Sequence, residues 1–426
     1  MSLLSSLGGL PPAVPLAIGG ALLALLAWLS WRRPTWLFLL ALASLAIRPQ
    51  LLWGGPPVGY EWGLHQTFFA FALLVSATRY GVHRTVPWPI LALVAVFVLN
   101  PLLGNLHRDV SVALMLVSLA LFALPFAFTQ VILAPGSRRM LALMIAVTPL
   151  LSVALGGLLQ AADLRAVFRY RLEGATGNAA VFGMLAFAGF AVALHEWTRP
   201  GRRYAIYLAT LNLALVILSG TRMAIFASAV FAGTYAALSE ALRQQLKQQR
   251  RTALAGVGLV AAILVAYWPT LIGRIFADDG ETLELSGRDE LWSFYWQEFL
   301  FSPWFGRGLG AGVVAAEKWY GFALSTPHNE YLHLLVIGGV VGFVLIAGAI
   351  LLWYRQLLRV ASPNDREFLL ALAPALAAYA VTDNILTYSS ALALYAYLGM
   401  VLTLPSPFAL SSAEERTREA WAVARR

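Results

Sequence analysis

Apolar residues in this chain come in long runs, not in the spaced pattern of a half-buried helix or strand. Near-continuous hydrophobic segments fall at 14–31, 34–47, 66–79, 88–104, 111–134, 140–159, 179–195, 204–219, 222–241, 252–273, 332–354, 367–382 and 391–409. A helix needs about 20 apolar residues to cross the hydrocarbon core of a bilayer, and most of these runs approach that length. Only helices and closed barrels satisfy their own backbone groups in lipid, and barrel strands would be shorter and would alternate apolar with polar positions. The pattern therefore predicts an all-α, polytopic transmembrane bundle of thirteen spans. The segment 34–47 is short enough to be tilted or only partly inserted.

Composition supports this reading. Hydrophobic residues make up 60% of the 426 positions and charged ones 12%, which excludes an ordinary soluble domain. The stretch "MSLLSSLGGLPPAVP" has no charged leading region, so no cleavable signal is expected. The absence of cysteine excludes disulfides and thiolate metal sites. A net charge of +9 could point to nucleic acid, but the positive residues sit in the connectors. "WRR" (31–33), "RYGVHR" (79–84), "GSRR" (136–139), "RPGRRY" (199–204), "RQQLKQQRR" (243–251) and "YRQLLR" (354–359) alternate with less basic connections. The positive-inside rule puts these six, and the tail "EERTREAWAVARR", in the cytoplasm, and no nucleic-acid partner is expected. The opposite connections are 48–65, 105–110, 160–178, 219–222, 274–330 and 383–390, and they face the periplasm or exterior. With no internal repeat, 1–426 reads as one integral membrane domain.

The segment 274–330 stands out because the other connections are short, and long loops in compact proteins are usually functional. Within it, "SGRDELWSFYWQEFLF" (286–301) reads as an amphipathic helix. Ser286 and Asp289 are spaced as a capping box, and Leu291, Trp292, Tyr295, Trp296 and Phe299 form the apolar stripe. Such a helix lies at the headgroup boundary or packs on the spans below it. The glycine-rich "SPWFGRGLGAG" (302–312) follows no strand and has no phosphate-loop lysine, so it reads as a sharp turn that folds back on the spans.

Three places on that outer side share one arrangement: a turn residue followed by a basic or imidazole group where a helix starts. In "LSGTRMAIF" Thr221 is the cap and Arg222 the first helical residue. In "LSGRDELW" Ser286 caps ahead of Arg288. In "STPHNEYL" Thr326 caps, Pro327 takes the first position and His328 follows. Helix N-termini attract anions, and a cation placed there opposes the helix dipole; such local violations tend to mark function. For one isolated arginine, interfacial snorkelling is the plain alternative. Three parallel cases on one face point instead to a multivalent anion such as a pyrophosphate. Beside arginines and a helix start, His328 is expected to stay neutral and able to take a proton, the profile of a general base for a hydroxyl nucleophile. Metal is not expected. "HNEYLH" places His328 and His333 five apart, about 140° around a helix, unlike a zincin pair. His65, His83, His107 and His195 complete no triad. Asp383 is a carboxylate at a membrane edge, functional by default but with no partner evident in the sequence.

Three segments, "LSGTRMAIFASAVF" (218–231), "GRDELWSFYWQEFLFSPWFGRGLGAG" (287–312) and "TPHNEYLHLLVIGGVVGF" (326–343), resemble the O-antigen ligase and polymerase superfamily in content and order. "RYRLEGATGNAAVFG" (169–183) is similar to its R-x-x-G-x-x-x-N element. The resemblance implies about 12 spans and a periplasmic active site in a bacterial inner membrane. It implies transfer of a glycan from undecaprenyl pyrophosphate to an acceptor hydroxyl, the acceptor of the ligases being lipid A–core oligosaccharide. It assigns catalysis to Arg222, Arg288 and His328 and makes Arg171, Asn178, Asn329 and Arg307 substrate-binding candidates, with Arg307 alternatively structural. The arginines would hold the leaving diphosphate and His328 would deprotonate the acceptor, giving inversion with no metal or other cofactor. A ligase is the leading expectation. An O-antigen polymerase or protein O-oligosaccharyltransferase of the same superfamily is the near alternative, and a flippase or transporter of lipid-linked glycan the distant one.

Overall fold

The structure is a computed structural model and describes residues 34–47, 61–83, 86–132, 137–161, 171–273, 288–314 and 327–401. Its described elements are all helical, apart from one backbone bridge between Val82 and Val131. In chain order they are α1 (Pro34–Ser44), α2 (Glu61–Tyr80), α3 (Trp88–Leu103), α4 (Val112–Ala127), α5 (Ser137–Ala161), α6 (Ala179–Trp197), α7 (Ala205–Leu218), α8 (Arg222–Leu238), α9 (Glu240–Gln248), α10 (Arg250–Ile272), α11 (Arg288–Leu300), α12 (Glu330–Val360), α13 (Pro363–Ala380) and α14 (Leu392–Ala396).

Among the described residues, five helices are long and apolar enough to cross a membrane: α5, α6, α10, α12, and α4 together with the turn that extends it to Gln130. A sixth is added if α8 and α9, bent by 94° across Ser239, form one span. The expected number of spans, about 12 or thirteen, is thus not confirmed by the described helices. Most described runs do coil, but several are too short: α3, at 16 residues, rises only about 24 Å. The segment 14–31 lies outside the described residues.

The axis of the bundle is α6. Every residue from Phe182 to Trp197 is buried, and its alanines and glycines let neighbours approach closely. A Cβ on Gly183 would fall 2.7 Å from the Thr221 hydroxyl at the start of α8. Packed around α6 are α5, α7 and α8. α8 and α13 run antiparallel, since Phe231 and Tyr235, late in α8, meet Phe368, early in α13. The start of α8 therefore lies by the end of α13. α10 is peripheral: apart from Ala253, Tyr267 and Leu271 it buries little of itself.

α12 is broken at Gly339, whose φ of 61° and ψ of −167° no helix accommodates. The glycine-rich turn fills the break. Val340 and Val341 donate to the carbonyls of Pro303 and Trp304, while Arg307 and Gly308 donate to those of Val336 and Ile337. Buried Asn100 of α3 donates to the carbonyls of Phe305 and Ile337 and accepts from the Leu309 N–H. The expectation that 302–312 folds back on the spans holds, with a specific reason: it supplies the partners the break exposes. α11 lies against the first half of α12, burying Leu291, Tyr295 and Phe299. Ser286, expected to cap it, lies outside the described residues.

Polar groups collect at the two ends of the bundle. At one, Asp365 receives Arg138 at 2.8 Å, His195 at 2.9 Å and Arg199. Glu196 there meets Arg199, Arg202 and the Tyr397 hydroxyl. Two of the basic connectors, 136–139 and 199–204, thus share this end. The other end carries His328.

Candidate active site

His328 is not in the first turn of α12. The helix starts at Glu330, and its cap is Asn329, whose side chain accepts from the Leu332 N–H at 2.9 Å. Pro327 and His328 precede the helix, correcting the expectation that Thr326 caps it; Thr326 lies outside the described residues. His328 has a φ of 49°, rare for a residue with a side chain. This left-handed step sits where strain often marks a functional site.

The imidazole Nδ1 lies 3.2 Å from the Asp383 carboxylate and 3.0 Å from the Tyr388 hydroxyl. An ionised carboxylate only accepts, so Nδ1 carries the proton and Nε2 is left as the acceptor. Nε2 takes no partner among the described residues, and the side chain is 36% exposed while Asp383 is 3% exposed. Burial, then the negative charge of Asp383 and their hydrogen bond, push the Tyr388 hydroxyl well above its ordinary range, with Arg288 acting the other way. Tyr388 thus stays a donor beside the carboxylate. A ring held at Nδ1 by a buried carboxylate, with Nε2 facing outward, is built to accept a proton there.

Arginines from separate parts of the chain come to this end of the bundle. Arg171 donates to the Ser219 carbonyl at 2.9 Å and to the Thr221 hydroxyl at 3.1 Å. Thr221 occupies the cap position of α8, as expected, but its hydroxyl does not cap; it donates to the Ala179 carbonyl at 2.8 Å. One hydroxyl therefore ties Arg171, the start of α6 and the start of α8, where Arg222 is the first helical residue. Arg288 opens α11, and the Trp292 indole N–H one turn on donates to the Pro327 carbonyl next to His328 at 2.9 Å. Asp383, Arg288 and Arg171 all interact electrostatically with the Tyr379 hydroxyl at the end of α13. The structure thus brings His328, Arg288 and Arg171 to one end of the bundle, with Arg222 at the helix start beside Thr221.

The other candidates have structural occupations. Asn178 caps α6, accepting from the N–H groups of Ala180 and Val181. Asn329 caps α12. Arg307 pairs with Glu298 at 3.1 Å and lies over the Phe301 ring. Asp383, left without a partner by sequence reasoning, meets the His328 ring and the Tyr388 hydroxyl and accepts from the Asn384 backbone N–H. Tyr388 was missed altogether; a hydroxyl five residues past Asp383, in the turn after α13, carries no sequence signal of its own.

Residues 206–347 match the family model described as O-antigen ligase. The match covers a third of the chain and supports its resemblance to the O-antigen ligase and polymerase superfamily. That family suggests a membrane enzyme of the glycosyl-transfer type, with a lipid-linked glycan and a lipopolysaccharide-type acceptor in general. The region matched to the O-antigen ligase family contains Arg222, Arg288, Arg307, His328 and Asn329. Arg171, Asn178, Asp383 and Tyr388 lie outside it. No curated protein and no solved structure matches the chain.

Proposed function

We propose that the protein is an O-antigen ligase of the bacterial inner membrane, joining a glycan carried on undecaprenyl pyrophosphate to a hydroxyl of lipid A–core oligosaccharide at the periplasmic face. The observation that carries this reading is the His328 ring, held through Nδ1 by Asp383 with Nε2 outward, at the bundle end where Arg171, Arg222 and Arg288 start or precede helices.

The acceptor hydroxyl gives its proton to His328 Nε2 as its oxygen attacks the anomeric carbon. The bond from that carbon to the pyrophosphate oxygen breaks, and its electron pair leaves with the diphosphate. Guanidinium groups at Arg222 and Arg288 meet the developing charge bidentately, with Arg171 as a third holder. Attack opposite the leaving group inverts the configuration. Asp383 stabilises the imidazolium that forms, without itself taking the proton. Asn178, Asn329 and Arg307 support this machinery by capping helices and bracing the plug in α12.

The test is incubation of purified protein with an undecaprenyl-pyrophosphate glycan and separate acceptors. Product on lipid A–core is expected. Product on a second lipid-linked repeat would make the protein a polymerase. Movement of intact lipid-linked glycan across a vesicle, without transfer, would make it a transporter.

A further inference from the structure

Two buried titratable groups of the "HNEYLH" segment have no part in the reaction just described. Glu330 and His333 are each 3% exposed, in the first turn of α12, and both face the turn at 383–388. The Glu330 carboxylate accepts the backbone N–H of Leu386 at 2.8 Å. His333 Nδ1 lies 2.9 Å from the side-chain amide of Asn384, which donates to it. The other Glu330 oxygen stands 3.6 Å from the same ring nitrogen. Behind the ring, a Cβ on Gly312 would fall 2.7 Å from Nε2, and Phe122 packs at 5.2 Å, so His333 is wedged between the plug and α4. Asn384 follows Asp383 directly, and Leu386 is two residues before Tyr388. The two contacts therefore grip the turn between the two groups that hold His328.

We propose that Glu330 and His333 are positioning residues: by fixing the 383–388 turn through Leu386 and Asn384, they hold Asp383 against His328 Nδ1 and thereby aim Nε2 at the acceptor hydroxyl. The same helix start thus carries the base and the clamp for the turn that orients it, making base and carboxylate one rigid unit. This rests on the reading of His328 as the base. Asp383 reaches the ring from 55 positions along the chain, and without the clamp its turn is tied to the ring by side-chain contacts alone. A shift of about 1 Å in such an arrangement costs up to about 10²-fold in rate.

The experiment is a cycle of four proteins assayed for transfer: wild type, Glu330→Ala, Asp383→Asn and the double variant, with Glu330→Gln as a fifth. Glu330→Ala is expected to lower kcat by about 10–100-fold with the donor KM within about twofold. Glu330→Gln, which keeps an acceptor for the Leu386 N–H, is expected to recover most of that loss. In the Asp383→Asn background, Glu330→Ala is expected to cost less than about threefold, because the carboxylate it positions is gone. Multiplying losses in the double variant, the signature of damaged folding, would overturn the proposal, as would a Glu330→Ala enzyme at the wild-type rate. A readout free of glycan is acylation of His328 by diethyl pyrocarbonate, which Glu330→Ala and Asp383→Asn are expected to slow alike. Wild-type transfer by Asp383→Asn and by His328→Ala would instead remove the base assignment itself.

Discussion

His195 and His328 each place a ring nitrogen about 3 Å from a buried carboxylate, at opposite ends of the bundle, and they end in different chemistry. His195 is fully buried and uses both nitrogens: Nε2 donates to Asp365 at 2.9 Å, and Nδ1 accepts from the Tyr235 hydroxyl at 2.8 Å. His328 uses Nδ1 and turns Nε2 outward. Around His195 the arginines reach carboxylates, Arg138 and Arg199 to Asp365, Arg199 and Arg202 to Glu196. Around His328, Arg171 reaches a carbonyl and a hydroxyl, which are neutral. A histidine beside an acid is therefore no mark of catalysis. What separates the two is whether the second nitrogen is occupied.

Substitutions sharpen the contrast. His328→Ala has the largest expected effect, a loss of about 10²–10⁴ in transfer rate with donor binding kept; initial rates and donor-binding isotherms measure both, and an unimpaired rate would abolish the distinction between the ends. Asp365→Ala takes the shared carboxylate from His195, Arg138 and Arg199, leaving Arg199 with Glu196 and His195 with Tyr235, and should cost about 3–5 kcal/mol of stability. Turnover per folded molecule should be untouched; a selective fall in turnover would mean that the basic end takes part in the reaction. Arg288→Ala should lower kcat by about 10²–10³ with unfolding unchanged, and Arg288→Lys should recover only part of it, since an ammonium lacks the fork. Asn178→Ala has the smallest effect, about 1 kcal/mol from a lost cap. Asn178→Ser should restore that stability, and a changed donor KM in either variant would move Asn178 from the scaffold into the site.

The helices were legible because long apolar runs leave few alternatives in lipid, and two helix starts, at Arg222 and Arg288, were legible as rule-breaking cations. Span number was not, because hydropathy does not distinguish a helix that crosses from one, such as α3, that stops short of the bilayer's thickness. The start of α12 was misread because "STPHNEYL" offers two caps: Thr326 with Pro327 behind it, and Asn329. Asn329 prevails, leaving His328 in a left-handed step before the helix. Asp383 could be seen as an anomaly but not paired, since its partner lies 55 positions earlier and the link depends on how the 383–388 turn is held. The break at Gly339 was visible only as "GG"; that the preceding turn fills it depends on Asn100, far away in the chain.

A carbonyl left open in hydrocarbon costs several kcal/mol, so α12 is tolerable to lipid only with residues 303–308 docked into its gap. Those residues, and Asn100, leave the ribosome before α12 does. The interrupted segment therefore meets a surface already waiting for it during biogenesis, and chain order doubles as a timetable for insertion.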